Sequence, residues 1–315
     1  MNILILSCGT RNKLVEFFKD SSEFDNVIVT DCSHQAPALY VADKYYIVPR
    51  MTEEGYFSTV LDICVKENIK FVLPLQEEEL ILTAKNRAQY EAIGVTPIVS
   101  EYDKVMMCKD KYVLNNYLNE NGICAVSTML AKEYLRENEE IKNVFVKPRL
   151  GAGSIDTFLV NTRKMLEALV EESEEELILQ PMIRGKEYGV DVYVDLLSGE
   201  VVTCFCKEKL RMRAGETEKS LSVHHEEIEK LVVDTVGLLG LKGPIDVDVM
   251  EENGKYYVLE INPRFGGGYP HAYMCGVSFP EYIANNGNGI ENVPNFRNYS
   301  ENVLAMKYSE IVIGK

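Results

Sequence analysis

Gly243-Pro244-Ile245-Asp246-Val247-Asp248-Val249-Met250-Glu251-Glu252-Asn253-Gly254-Lys255-Tyr256-Tyr257-Val258-Leu259-Glu260-Ile261-Asn262-Pro263-Arg264-Phe265-Gly266-Gly267-Gly268 is the most informative stretch of the chain. Two runs with period-2 alternation flank Asn253-Gly254, so the stretch reads as a β-hairpin with its polar side chains standing on a sheet face. Val247, Val249, Leu259 and Ile261 are expected on the other, apolar face. Oxygen donors at Asp248, Glu260 and Asn262 beside Arg264 suit magnesium and the phosphates of a nucleotide.

The register of this hairpin decides whether those donors meet. A two-residue type I′ turn at Asn253-Gly254 pairs Glu252 with Lys255, and strict alternation then turns Asp248 away from Glu260. A three-residue loop, Glu252-Asn253-Gly254, with Gly254 in the left-handed region, instead pairs Glu251 with Lys255 and sets Asp246 opposite Glu260. Asp246, Asp248, Glu260 and Asn262 then share one face. The matched acids against a wholly apolar opposite face favour the three-residue loop.

The 315 residues are long enough for two or three hydrophobic cores, and 46% hydrophobic with 26% charged residues is a globular balance. A formal charge of −16 opposes non-specific binding to nucleic acid or to an anionic membrane, because all three are polyanions. Neither is therefore expected as a partner, and an anionic ligand must be held by a local basic site. The opening Met1-Asn2-Ile3-Leu4-Ile5-Leu6-Ser7-Cys8-Gly9 lacks the basic flank and apolar length of a signal peptide, which predicts a cytoplasmic protein. The eight cysteines lie mostly in apolar segments without a CxxC pair and read as reduced core residues. Four histidines, two of them the adjacent His224 and His225, offer no zinc constellation.

Outward from the hairpin, the first hundred residues alternate short apolar runs with amphipathic stretches. Strands are expected near Ile3 to Leu6, Val27 to Val29, Phe71 to Leu75 and Thr96 to Val99, with helices between, which is the rhythm of a small parallel sheet. Ser7-Cys8-Gly9-Thr10-Arg11 follows the first strand, where open α/β sheets bind ligands. It is not a GxGxxG dinucleotide fingerprint. A tight turn and a substrate-binding role explain Gly9 equally well. A helical stretch from Asp103 to Asn121 closes at Gly122, and paired strands with interspersed helices follow. The fold class is thus α/β followed by α+β.

Lys147 ends an apolar strand and precedes Gly151-Ala152-Gly153-Ser154, where a lysine beside glycine-exposed amides makes a grip for a polyphosphate. No Walker A motif is present. Gln180-Pro181-Met182-Ile183 is an extended segment with backbone groups free to meet an adenine ring, and Glu187 is placed to accept from ribose hydroxyls. Lys207, Lys209, Arg211 and Arg213 form a local basic cluster in an acidic chain and read as an anion site, with Arg213 nearest the following turn. Gly266-Gly267-Gly268 indicates close backbone approach or a mobile loop. His271 after it reads as a base or, more commonly for a lone histidine, as a packing residue.

In this order, Lys111, Lys147 with its glycine turn, Gln180 to Glu187, and Asp248, Glu260, Asn262 and Arg264, the chain resembles the ATP-grasp superfamily. The large chain of carbamoyl phosphate synthetase and biotin carboxylase are the members it most looks like. The resemblance implies a Rossmann-like domain over residues 1–105 ahead of a two-subdomain ATP-grasp fold, with a lid and its linker helix over 106–190 and the metal-bearing subdomain over 191–315. It implies Lys111 and Lys147, with Gly151, Gly153 and Ser154, on the phosphates of ATP; backbone at Gln180, Pro181, Met182 and Ile183 on adenine; and Glu187 on ribose. Asp248, in preference to Asp246, would join Glu260 and Asn262 in binding magnesium, two ions with manganese as a substitute. Arg264 and Arg213 would stabilise the transferring phosphoryl group.

The implied activity is that of an ATP-dependent carboxylate-amine ligase working through an acyl phosphate on a small metabolite, amino acid or peptide. Carboxyphosphate or carboxylate-thiol chemistry, or a nucleotide-binding regulatory module without turnover, are the alternatives. The glycine turn is shorter than that of biotin carboxylase, and no glutaminase, biotin carrier or second ATP-grasp half accompanies it. Small-molecule carboxylate and amine substrates are expected, with specificity in the loops Ser7 to Arg11, Gln76 to Glu79 and Phe265 to Tyr273, and the family pattern adds a homodimer.

Overall fold

A computed structural model of the chain describes residues 1–151, 156–213 and 215–314. The N-terminal unit is a five-stranded parallel sheet of β1 (Asn2–Leu6), β2 (Asn26–Asp31), β3 (Lys44–Ile47), β4 (Ile69–Pro74) and β5 (Thr96–Pro97), in the order β3-β2-β1-β4-β5. Helices α1 (Asn12–Asp20), α2 (Tyr56–Lys66), α3 (Glu77–Lys85) and α4 (Arg87–Ala92) connect these strands or lie between them. Ile3 to Leu6 are fully buried, which accounts for an apolar run without alternation. The strand order reverses direction at β1 and β4, so the loops after these two neighbouring strands frame a crevice at their carboxyl ends.

The expected single helix from Asp103 to Asn121 is two: α5 (Tyr102–Lys109) and α6 (Lys111–Glu120). Asp110 breaks it because its side chain caps the second helix, accepting from the backbone N–H of Tyr112 and Val113 at 3.1 Å. The same carboxylate receives Arg149, 2.6 Å away, from the next unit. That unit is a four-stranded sheet, β6 (Met129–Leu130), β7 (Val144–Pro148), β8 (Phe158–Val160) and β9 (Leu177–Pro181), in the order β6-β9-β7-β8. Helices α7 (Ala131–Glu137) and α8 (Arg163–Glu172) join its strands, and Ala131 and Leu166 enter its small core.

The last unit is a six-stranded sheet built from β10 (Glu187–Val194), β11 (Val201–Arg213), β12 (Glu216–Ser222), β13 (Gly243–Glu252), β14 (Lys255–Asn262) and β15 (Leu304–Met306), ordered β14-β13-β10-β11-β12-β15. Helix α9 (Glu226–Leu239) covers one face of this sheet through Ile228, Val232, Val236 and Leu239. The short α10 (Tyr269–Met274) and α11 (Phe279–Gly287) pack against the first domain, where Tyr269, Phe279 and Ile283 share a core with Phe17 and Phe18. The sheets change over between Pro181 and Glu187.

The register of the opening hairpin corrects the expectation drawn from its sequence. The turn is the two-residue one: Glu252 pairs with Lys255, and Asn253 and Gly254 both have positive φ, at 53° and 75°. Asp248 nevertheless lies opposite Glu260, and Asp246 lies opposite Asn262. A β-bulge reconciles the two. Val249 pairs with Val258 but Asp248 pairs with Glu260, so Leu259 is the extra residue. Leu259 consequently leaves the apolar face assigned to it and stands beside Glu260, while Val258 and Ile261 remain buried.

Candidate functional site

A cavity of about 930 Å³ lies where the three units meet. Its floor is the polar face of the six-stranded sheet, its roof the four-stranded sheet, and one end the crevice of the first domain. Asp246, Asp248, Glu260, Asn262 and Arg264 all border it, as do Lys111, Lys147, Gly151, Gln180, Pro181, Ile183 and Glu187. Side chains that are far apart in sequence and were expected to act together are thus brought together. Met182 does not border the cavity, and Gly153 and Ser154 lie outside the described residues.

Two kinds of surface divide this cavity. Val126, Phe145, Ile183, Met250 and Leu259 give an apolar slot between roof and floor, while the charged side chains of the lining, Lys111, Lys147, Glu187, Lys209, Asp248 and Glu260 among them, lie beyond it with glycines and neutral polar residues. The bulge explains how Leu259 and Glu260, adjacent in sequence, can both face the same space. Gln180 borders the slot but is only 3% exposed, and its Nε2 donates to Thr128 Oγ1 at 2.9 Å. Its side chain is therefore committed to the protein.

Charges on the floor alternate. Lys209 stands 2.8 Å from Glu187 Oε1 and 2.5 Å from Asp248 Oδ1, and Lys207 pairs with Asp191 in full burial. Three acids, Asp246, Asp248 and Glu187, act on Lys209. Burial works against its charge, but these acids outweigh it and raise its pKa. Asp248 is raised too, because burial and its acidic neighbours together exceed the pull of Lys209. Asp248 Oδ1 has no donor aligned on it as a hydrogen bond. The basic cluster at Lys207 to Arg213 is therefore split: its two lysines are floor residues neutralised by acids, whereas Arg211 and Arg213 both turn to Glu218 at 2.8 and 3.3 Å. Arg213 still edges the cavity but is largely exposed.

Lys111 is 6% exposed, hydrogen-bonds the Gly151 carbonyl and stands 3.9 Å from Glu260 Oε1. Burial brings Lys147 down to about 8, a tendency that Glu260 opposes and Lys111 reinforces. Arg264 spends its guanidinium on the Phe265 carbonyl at 3.0 Å and on Asn262 Oδ1 at 3.2 Å.

The glycine run after β14 owes its composition to close approach. A Cβ on Gly266 would stand 2.6 Å from the Asp246 carboxylate, one on Gly267 2.9 Å from the Arg11 guanidinium, and one on Gly268 2.8 Å from Lys207. His271 beyond it is a packing residue. Its Nδ1 meets Ser220 Oγ at 2.8 Å, its Nε2 the Val303 carbonyl at 3.0 Å, and burial pushes it down to about 4, so the ring is neutral with both nitrogens engaged.

From the first domain come Arg11, Leu75, Gln76 and Glu77. Arg11 reaches Glu216 at 3.1 Å, and Glu216 also takes Lys307 at 2.8 Å. Ser7 Oγ donates to Glu79 Oε1 at 2.8 Å and the Tyr56 hydroxyl donates to the same oxygen, which ties the loop after β1 to the start of α3 beneath the crevice. Burial lifts Glu79 to about 7 despite these two donors. The sequence places Lys209 in an anion-binding cluster and Leu259 on the apolar face, and it predicts neither the pairing of Lys209 with Glu187 and Asp248 nor the bulge. A basic residue two positions beyond Lys207, on the same strand face, is the signal for the first; nothing local marks the bulge.

The metal donors fit a hard divalent cation as a mixed set. Asp248, Glu260 and Asn262 offer two carboxylates and an amide oxygen, hard donors of the kind such a cation takes, and among the described residues no three His, Cys, Asp or Glu side chains form a metal cluster.

Residues 108–268 match the family model described as the ATP-grasp domain, and residues 3–98 match the PylC-like N-terminal domain. The arginine-specific large chain of carbamoyl phosphate synthase from Geobacillus stearothermophilus is 28% identical over 241 residues, covering 71% of this chain and 22% of that one. A D-alanine–D-alanine ligase from Francisella philomiragia is 23% identical over 244 residues, covering 70% of this chain and 81% of its own length. Among solved structures, the biotin carboxylase domain of 2-oxoglutarate carboxylase from Hydrogenobacter thermophilus, crystallised with MgADP and bicarbonate, superposes with a TM-score of 0.77 at 15% identity, over 96% of this chain and 73% of that one.

Proposed function

Because the chain belongs to the ATP-grasp family and is an ATP-dependent ligase in its general chemistry, we propose that it converts a small-molecule carboxylate to an acyl phosphate and joins it to an amine. One cavity bordered at once by an apolar slot, a lysine pair, a row of oxygen donors and a separate crevice carries this reading. The slot of Val126, Phe145, Ile183, Met250 and Leu259 takes the adenine, with backbone at Gln180 to Ile183 along its edge. Glu187 takes the ribose. Lys111 and Lys147 take the phosphates, and a triphosphate beside Lys147 restores the charge that burial weakens. Asp248, Glu260 and Asn262 would hold magnesium, which when bound neutralises charge on the transferring phosphoryl group. The oxygens of Asp248 and Glu260 are now shared with Lys209 and Lys111, so both lysines are positioned to move between acid and phosphate.

A carboxylate oxygen bonds to the γ-phosphorus as the bond to the bridging β–γ oxygen breaks, and ADP departs. The amine nitrogen then bonds to the acyl carbon, the carbon–oxygen bond to phosphate breaks, and phosphate leaves with one amine proton. Arg264, fixed by Asn262 and the Phe265 carbonyl, faces the charge that develops in both steps. Arg213, exposed and paired to Glu218, contributes less.

Incubation with ATP, magnesium and panels of small carboxylates, with and without amines, tests the proposal. Carboxylate-dependent release of ADP with an amide detected by mass spectrometry is expected. Release driven by bicarbonate alone would replace it with carboxyphosphate chemistry. Tight ATP binding with no release from any panel would leave only a regulatory module.

A further inference from the structure

Six carboxylates border the cavity: Glu77, Glu187, Glu216, Asp246, Asp248 and Glu260. Four have cationic partners, namely Lys209 for Glu187 and Asp248, Arg11 and Lys307 for Glu216, and Lys111 for Glu260. Among the described residues Glu77 and Asp246 have none. Asp246 lies on the sheet floor opposite Asn262, with Gly266 packed on its carboxylate, inside the nucleotide half of the site. Glu77 is different. It stands in the first turn of α3, directly after the carboxyl end of β4, and borders the same cavity as Gln76 and Arg11.

The cations around Glu77 are committed elsewhere. Lys109 pairs with Glu78 at 2.5 Å, Lys111 with the Gly151 carbonyl and Glu260, and Arg264 with Asn262 and Phe265. Half-buried and lacking a partner, a carboxylate in a cavity wall is a docking point for a cation that arrives with a ligand.

We propose that Glu77 docks the ammonium group of the amine substrate and accepts one of its protons, freeing the lone pair that bonds to the acyl carbon. This makes the crevice between the loops after β1 and β4 selective for donors that arrive as cations over neutral ones. The proposal rests on the ligase reading above and adds the charge class of the second substrate. Burial raises Glu77 above the ordinary carboxylate value, and Lys109 and Lys111 offset this in part, as expected of an acid that lacks a close cation. Arg11, which borders the same cavity and pairs with Glu216, adds a cationic group to it.

Hydroxylamine separates this proposal from the reading beneath it, because it is a neutral nucleophile at pH 8 that traps acyl phosphates as hydroxamates. The wild-type protein and Glu77→Gln are each supplied with ATP, magnesium and the panel carboxylate that gives the most hydroxamate. The twenty amino acids then replace hydroxylamine as amine donors. The expected result is hydroxamate formation within about twofold of wild type and KM for ATP unchanged, with KM for the amino-acid donor raised on the order of tenfold or more. Equal loss with both nucleophiles, or a raised KM for ATP, would show that Glu77 merely positions Lys111 and overturns the proposal. Selective loss in Asp246→Asn with Glu77→Gln unaffected would transfer the site to Asp246. Absence of hydroxamate with every carboxylate would instead refute the ligase reading.

Discussion

The two ends of the cavity are built on opposite plans. On the sheet floor nearly every charge already has a partner: Lys209 lies between Glu187 and Asp248, Lys207 on Asp191, Lys111 against Glu260. In the crevice of the first domain, Glu77 and the exposed Gln76 have no side-chain partner among the described residues. A floor of paired charges is preorganised and rigid, and suits a ligand as constant as ATP. A wall with unpaired polar groups is finished by whatever enters it, which is where one family can vary its substrates on a single scaffold.

The largest effect expected at the floor end follows removal of a metal donor. Glu260→Ala should lower ATP turnover on the order of a thousandfold while the melting temperature stays within a few degrees, as read by ADP release and thermal unfolding. Ordinary activity in that variant would mean the oxygen row is scaffolding, and the contrast between the ends would collapse. Next comes the buried pair. Asp191→Ala leaves Lys207 without a partner at 1% exposure and should cost about 3–5 kcal/mol in urea unfolding, whereas Glu77→Gln should cost under about 0.5 kcal/mol. Similar costs for both would show that pairing does not distinguish the two ends.

A smaller effect is expected from deleting Leu259. With the extra residue gone, Val249 still pairs with Val258 and Asp248 with Glu260, so the oxygen row survives but the slot loses a wall. KM for ATP should rise about tenfold, in line with one buried leucine, with kcat little changed. Collapse of the hairpin on deletion would show instead that the bulge is needed for folding. The smallest effect concerns the base of the crevice. Glu79 holds its proton up to about 7 when folded and releases it near the ordinary value of 4.5 when unfolded, so the folded state binds the extra proton in that window. Stability contributed by this group is therefore full below about pH 4.5 and declines as pH rises toward 7, and Glu79→Gln should flatten that part of the profile of unfolding free energy against pH. An unchanged slope would mean that Glu79 is ionised throughout.

Much of the floor was legible because β-strands write their faces into the sequence at a period of two. That Asp248, Glu260 and Asn262 share one surface could be read from the pattern, though by way of a three-residue loop that the structure does not have. The means by which they reach it could not, since a bulge at Leu259 depends on what the neighbouring strand and the apolar slot demand, and one added residue has no local signature. The break of the long helix at Asp110 was missed for a related reason. Aspartate is a favoured N-cap, but the helical pattern on both sides of Asp110 masked that signal, and its cap to Tyr112 and Val113 and its contact with Arg149 show why the chain turns there. In the crevice, the loops Ser7 to Arg11 and Gln76 to Glu79 were recognisable as strand ends, but their meeting required the order of the sheet. The exhaustion of Arg211 and Arg213 on Glu218 likewise appears only when β11 and β12 are paired.

Because the Glu252–Lys255 pair at the tip and the bulge at Leu259 together set which side chains look upward, residues inserted between Asn253 and Gly254 leave the chemistry beneath unchanged as long as that pair holds. Residues could be added there in odd or even number without exchanging the two faces, provided Glu251 and Glu252 keep their contacts with the backbone at Lys186 and Arg184. The hairpin thus offers a permissive insertion point close to the slot, where a small fluorescent reporter would sense nucleotide arrival without disturbing the groups that bind it.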